Sequence, residues 1–172
     1  VVCCSDSRVP PEVAFDCGVG DIFVVRTAGH VIEDGAALAS IEYAVAHLGT
    51  PLLVVLGHTS CGAVTAAFEC ETGSESIDSL VAAIRPAVEA AEADGGDVLV
   101  EAVRHHVVNV VAQLASAEPI LKPAVAEGRR GHQGPEADGG GLAGQSGEGH
   151  PGIGGPGQTA DVAHLQEVIA AE

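Results

Sequence analysis

The chain is poor in aromatic residues, poor in cations, and lacks any long apolar run. Tryptophan is absent, and Phe15, Phe23, Phe68 and Tyr43 are the whole aromatic complement. With 47 % hydrophobic residues, the core must be built from Val, Ala, Leu and Ile. Seven Lys and Arg stand against 24 Asp and Glu, a formal charge of −17. Nucleic acid and anionic lipid bind through clustered cations that displace counterions, so both are excluded as partners. A small neutral substrate is indifferent to that field. No stretch of 18 or more apolar residues exists, so no membrane span is expected. No charged-then-apolar leader precedes the first strand, and a cytoplasmic location is expected. Residue 1 already falls inside a strand, which predicts that the natural amino terminus is missing. A length of 172 residues fits one domain with a worthwhile core.

Cys-x-x-Cys is also absent, which argues against a thiol redox protein. The five cysteines are Cys3, Cys4, Cys17, Cys61 and Cys70. An odd number without a leader points to reduced thiols, some of them metal ligands, rather than a disulfide framework. Cys3 and Cys4 are adjacent and point to opposite faces of a strand, so only one can face a site. Cys17 and Cys70 read as small buried hydrophobes.

Hydrophobic spacing predicts strands at Val1–Ser5, Ile22–Thr27 and Leu52–Gly57. Asp34 is placed as the N-cap of a helix from Gly35 to His47, with Leu38, Ile41, Val45 and Leu48 as its buried face and Gly49 as its C-cap. Strand, helix and strand at this spacing make a parallel βαβ crossover. Further helices are predicted from Gly62 to Glu71, from Asp78 or Ser79 to near Gly95, from an Asp97 cap through Leu114, and from Glu118 to Glu127. The third of these carries the stripe Leu99, Val103, Val107, Val110 and Leu114. Composition then changes. Residues 1–127 read as the structured domain, and 128–172 as a Gly-rich tail, disordered over Gly128–Gln158. A weak helical pattern returns over Asp161–Glu172 through Val162, Leu165 and Ile169.

Two motifs carry the chemistry: Cys4-Ser5-Asp6-Ser7-Arg8 and Gly57-His58-Thr59-Ser60-Cys61-Gly62. Each follows an apolar run of the kind that forms a buried parallel strand, and open α/β sheets gather ligands at strand carboxyl ends. If the two strands are neighbours, Cys4, His58 and Cys61 converge as two thiolates and one imidazole. Three protein ligands with a fourth position left for water is the donor count of a catalytic zinc site. Asp6 and Arg8 lie beside it as a charged gate, with Asp6 able to turn either to Arg8 or to the metal. Taken singly, each motif has a bland reading: a buried Cys with an exposed His at a helix start, or a loop salt bridge.

The pieces Cys-Ser-Asp-Ser-Arg-Val-Pro-Pro-Glu (4–12), Gly-Asp-Ile-Phe-Val-Val-Arg-Thr-Ala-Gly (20–29), Ser-Ile-Glu-Tyr-Ala-Val (40–45) and Val-Leu-Gly-His-Thr-Ser-Cys-Gly-Ala-Val (55–64) resemble the β-class carbonic anhydrases. The resemblance covers roughly residues 1–127 and is densest over 1–70. It implies an α/β fold, a mostly parallel central sheet flanked by helices, and a zinc enzyme that interconverts carbon dioxide and bicarbonate as a homodimer or higher oligomer. It assigns Cys4, His58 and Cys61 to the metal and Asp6 and Arg8 to the catalytic dyad. Phe23, Ala28 and Tyr43 match pocket-lining positions, and Gly62 falls where a backbone N–H binds substrate oxygens. In some members the Asp moves onto zinc at lower pH and closes the site. His30 is either a proton carrier or a solvated loop histidine, and the second reading is preferred.

The ends depart from the family pattern. A family Gln upstream of the first motif and an amino-terminal helical arm do not occur in this sequence. The final strands are expected to be missing or replaced, leaving the edge of Leu52–Gly57 exposed. A zinc-binding or bicarbonate-sensing relative without turnover is the alternative that these departures favour.

Overall fold

The computed structural model describes residues 1–6, 8–33 and 35–127, and the backbone of 128–131 and 164–170. Four parallel strands, β1 (Val2–Cys4), β2 (Val25–Thr27), β3 (Leu52–His58) and β4 (His164–Ala170), form one sheet in the order β2-β1-β3-β4. Helices α1 (Pro11–Ala14), α2 (Gly35–Leu48), α3 (Gly62–Glu69), α4 (Glu75–Asp94), α5 (Val98–Ser116) and α6 (Leu121–Gly131) surround it, with a 3-10 turn at Ala28–His30. Helices at the faces of a parallel sheet leave its strands no solvent side, and six of the seven β3 residues are buried. The expected α/β architecture is thus present.

Buried apolar side chains fall into two clusters. Val2, Val55, Ile41, Val107 and Leu114 belong to one, and Cys4, Cys61, Val64, Ile84 and Val103 to the other. None of the buried apolar residues described is aromatic, as the composition requires. Helix α5 contributes to both clusters and presses directly on the β3 backbone. A Cβ on Gly57 would lie 2.8 Å from Val107 Cγ2 and 2.9 Å from Val103 Cγ1. We therefore expect Gly57→Ala to lower the unfolding free energy by about 1–3 kcal/mol, the usual cost of overpacking. A denaturant midpoint unchanged from wild type would contradict this packing.

Several boundaries differ from the sequence expectation. Strand β2 begins at Val25, three residues late. Helix α2 buries Ala37, Ile41, Ala44 and Val45, whereas Leu48 is 49 % exposed. Its last turn rolls off the core where Gly49 takes a left-handed φ of 63°. The Asp34 cap lies outside the described residues. Helix α4 starts at Glu75 because the Ser74 hydroxyl accepts from the Ile77 N–H at 3.3 Å, a cap upstream of the predicted Asp78 or Ser79. Asp97 caps α5 as expected, accepting from Leu99 and Val100. Helix α6 starts at Leu121 and tolerates Pro123 because first-turn amides have no intrahelical partner.

The larger correction concerns the carboxyl end. Residues 164–170, expected as part of a weak helix, form β4, paired in parallel with β3 from Leu52↔His164 to His58↔Ala170. The final strand is replaced rather than missing, and the β3 edge is covered. A weak local pattern yields here to a row of unpaired backbone donors and acceptors, which a parallel partner satisfies. The disorder expected over Gly128–Gln158 concerns residues outside those described, apart from 128–131, which extend α6.

Candidate metal centre

β1 and β3 are adjacent, with Val2 opposite Val55 and Cys3 opposite Leu56, so Cys4 and His58 leave the sheet side by side. The chain departs from β1 toward β2 and from β3 toward the other flank, the switch point at which open α/β sheets place ligands. Cys61 follows one turn after His58 and caps α3. All three side chains are buried, and their ligating atoms lie within 4.8 Å of one another. The two sulfurs are 3.9 Å apart and unbonded.

Each donor is oriented. His58 Nδ1–H donates to the Thr59 carbonyl at 2.8 Å, which leaves Nε2 as a buried ring nitrogen with no hydrogen-bond partner. The Asp6 amide donates to Cys4 Sγ at 3.4 Å. A hydrogen bond from the Cys61 thiol, helped by the Asp6 amide, holds the Cys4 thiol below its ordinary value. The same shared hydrogen, followed by burial, pushes Cys61 up.

Asp6 and Arg8 form a bidentate pair beside the cluster. Arg8 Nε donates to both carboxylate oxygens at 3.0 Å and Nη2 donates to Oδ2 at 2.6 Å. Arg8 also donates to the Ser60 carbonyl at 2.7 Å, so one guanidinium joins the loops that follow β1 and β3. Its hydrogen bonds hold the Asp6 carboxyl well below the usual carboxylate range.

Three comparisons bear on this geometry. Residues 1–132 match the family described as carbonic anhydrase. The chain belongs to the β-class carbonic anhydrase family. It is 46 % identical over 129 residues to a carbonic anhydrase of Mycolicibacterium smegmatis and 45 % identical over 129 residues to carbonic anhydrase 2 of Mycobacterium tuberculosis. Each match covers 73 % of this chain and 62 % of the relative, so the chain spans less than two thirds of these curated proteins. Among solved structures it resembles the β-carbonic anhydrase CafA of Aspergillus fumigatus, with a TM-score of 0.64, 25 % identity, and coverage of 99 % of this chain and 68 % of that one. It also resembles the tetrameric β-carbonic anhydrases of Sordaria macrospora, with a TM-score of 0.59, 29 % identity, and coverage of 76 % and 68 %.

The β-class carbonic anhydrases are zinc enzymes, and the donor set fits that ion. Zn–S bonds of about 2.3 Å at a tetrahedral angle place two sulfurs about 3.8 Å apart, against the 3.9 Å found. A buried imidazole nitrogen without a hydrogen-bond partner is costly, and a metal held between it and the two sulfurs would satisfy it.

The other predicted site residues are not all at this carbonic anhydrase cluster. Gly62 is the first residue of α3, and space beside it is open. Ala28 opens the 3-10 turn that follows β2, exposed on the same end of the sheet. Phe23 is at the opposite, amino end, where its carbonyl accepts from the Val1 ammonium at 2.7 Å. There it lines an apolar cavity of about 410 Å³ with Phe15, Ile41 and Leu53. Tyr43 is 52 % exposed on α2, its ring 5.0 Å from that of His47. Cys70 is exposed and Cys17 half-buried, so neither is the core residue expected. Cys70 ends α3 in a left-handed conformation, which turns it outward.

Two residues at the site escaped the sequence reading, and a third was misread. Arg26, an isolated cation in an apolar strand, donates from Nε to the Cys4 carbonyl at 2.8 Å and from Nη2 to the Asp6 carbonyl. It satisfies carbonyls that β1 leaves unpaired where it ends. His106, on the apolar stripe of α5, is buried against His30, the ring centroids 4.5 Å apart. His30 itself is 1 % exposed, so it is not a solvated loop histidine. The left-handed Gly29 and His30 fold its ring inward. No helix among the described residues is long and apolar enough to cross a membrane.

Proposed function

We propose that this chain catalyses the reversible hydration of carbon dioxide to bicarbonate, with zinc held by Cys4, His58 and Cys61. The observation that carries the reading is the buried His58 Nε2, partnerless and aimed into a space shared with two sulfurs. Zinc supplies a Lewis acid that brings the ionisation of a coordinated water into the neutral range. The chain's own residues do the rest. Thr59 fixes the His58 tautomer, which is how metal-binding imidazoles are usually held. Arg8 fixes Asp6, whose carboxylate accepts a hydrogen bond from the attacking oxygen and so aims its lone pair at the substrate carbon. The amide of Gly62, at the amino end of α3, faces negative charge that develops on the substrate oxygens. Ala28 supplies apolar wall for a small, uncharged substrate.

Phe23 and Tyr43 are read as pocket residues presented by a second copy of the chain, since both lie away from the cluster of their own chain. A homodimer or higher oligomer follows from that reading, and the tetrameric relatives support it. Free thiols throughout favour a reducing compartment, here taken as the cytoplasm.

Metal analysis with stopped-flow CO2 hydration tests the proposal. One zinc per chain and a catalysed rate are expected. One zinc without turnover would assign the chain to a binding or bicarbonate-sensing role, and no zinc would overturn the reading.

A further inference from the structure

We infer that His106 is a positioning residue for the metal ligand Cys4, acting through the turn at Gly29. The inference rests on the zinc reading above. His106 occupies the apolar face of α5 between Val103 and Val107, 3 % exposed. A leucine would serve the packing there without burying polar nitrogen atoms. The imidazole instead spends one nitrogen on a distant backbone group, with Nε2–H donating to the Gly29 carbonyl at 2.9 Å. Its Nδ1 is buried without a partner, which is a standing cost that packing alone does not explain.

Gly29 is held from every side. Its φ of 57° and ψ of 24° are left-handed, and a Cβ would lie 2.8 Å from Ile84 Cδ1 and 2.9 Å from Ala63 Cβ. The turn therefore accepts no other residue at this position and has no room to drift toward α3 or α4. The remaining freedom is rotation of the peptide that follows Gly29, and the His106 hydrogen bond removes it. On its other side, the turn packs against β1, the strand that ends at Cys4. Thr27 anchors the turn to the same loop, accepting from the Ser5 amide at 2.8 Å. The sequence of contacts runs from α5 to the Gly29 carbonyl, and through the turn and Thr27 to the end of β1 that presents the Cys4 sulfur. Burial keeps the imidazole neutral, lowering it to about 4, so this donor keeps its single hydrogen across the neutral range. The other titratable ring that faces it is His30, itself held well below its ordinary value by burial.

Cobalt substitution reads the ligand directly, because thiolate-to-cobalt charge-transfer absorption reports the sulfur environment whatever the turnover. In the full chain, His106→Leu should shift or weaken that absorption and lower zinc affinity by about 10-fold, the range typical of lost outer partners of metal ligands. His106→Gln, which keeps a neutral N–H donor, should restore most of both. Thermal unfolding of each variant separates this effect from a general loss of stability. A folded His106→Leu chain with wild-type absorption and zinc affinity overturns the inference, whatever its melting temperature. Should that variant fail to fold, His106→Gln decides alone, and a folded chain with fully altered absorption overturns it. A wild-type chain that takes up cobalt without any thiolate band instead removes the zinc reading on which the inference stands.

Discussion

Replacing His58 with alanine is expected to strip zinc from the chain and to lower CO2 hydration by at least about 10³-fold. A catalytic metal contributes several kcal/mol of charge stabilisation in the transition state, and each 1.36 kcal/mol is a factor of ten. His58 supplies the sole imidazole among the three grouped donors, and its Nε2 is the atom left without a partner inside the protein. Two thiolates alone form an incomplete site and bind the ion far more weakly. The same loss is expected for Cys61→Ser, because serine offers a poorer, rarely ionised ligand. Cys70→Ser is the control. Cys70 is exposed at the far end of α3, its sulfur accepting from Arg85 at 3.2 Å, and both metal content and rate should stay at wild type. Elemental analysis after dialysis and stopped-flow hydration measure the two quantities. A His58→Ala chain that retains one zinc and its rate would refute the ligand assignment. Circular dichroism separates that outcome from unfolding, since His58 is also part of the buried end of β3.

The three grouped donors were legible because each sits at a recognisable place: Cys4 and His58 end apolar runs, and Cys61 opens a helix. What no local pattern states is that β1 and β3 are neighbours, and that pairing is what turns two motifs into one centre. Elsewhere, local signals were overruled by distant ones. Leu165, Val168 and Ile169 suit a helix face or a strand equally, and the open edge of β3 decided between them. Leu48 fitted the stripe of α2 by spacing, yet the left-handed Gly49 turned its end away from the core. His106 carries no local signal of its own in Arg104-His105-His106, yet the neighbouring apolar positions 103, 107 and 110 put it on the buried face. Its partner, the Gly29 carbonyl, is 77 residues distant and invisible to any window along the chain. Arg26 is a comparable case, a cation in an apolar strand whose acceptors are carbonyls at the end of β1 and just past it. Polar residues that serve backbone groups across the fold are the class that sequence spacing reads worst.

Asp6→Asn should separate binding from chemistry, lowering hydration by about 10²-fold or more with one zinc retained. The three proposed ligands do not depend on the Asp6 side chain. Cys4 receives the backbone N–H of residue 6, which asparagine keeps, and His58 is oriented by Thr59. The carboxylate is different, because Arg8 engages both of its oxygens with three side-chain contacts and the Arg8 amide adds a fourth at 3.0 Å. Asparagine has one acceptor oxygen and an NH2 group that would face the guanidinium or turn toward the substrate, where it donates instead of accepting. Either orientation removes the hydrogen bond that aims the attacking oxygen. The pH dependence carries a sign. Arg8 depresses the carboxyl far below neutrality, so Asp6 is ionised at every pH above its lowered value and its contribution fades only on acidification. The deficit of the variant should therefore be constant across the neutral and alkaline range and shrink toward acid. A deficit that grew as pH fell would mean that Asp6 acts as a protonated donor, which the bidentate Arg8 contact opposes. Full activity in Asp6→Asn would reduce the pair to a loop salt bridge beside the tie of Arg8 to Ser60.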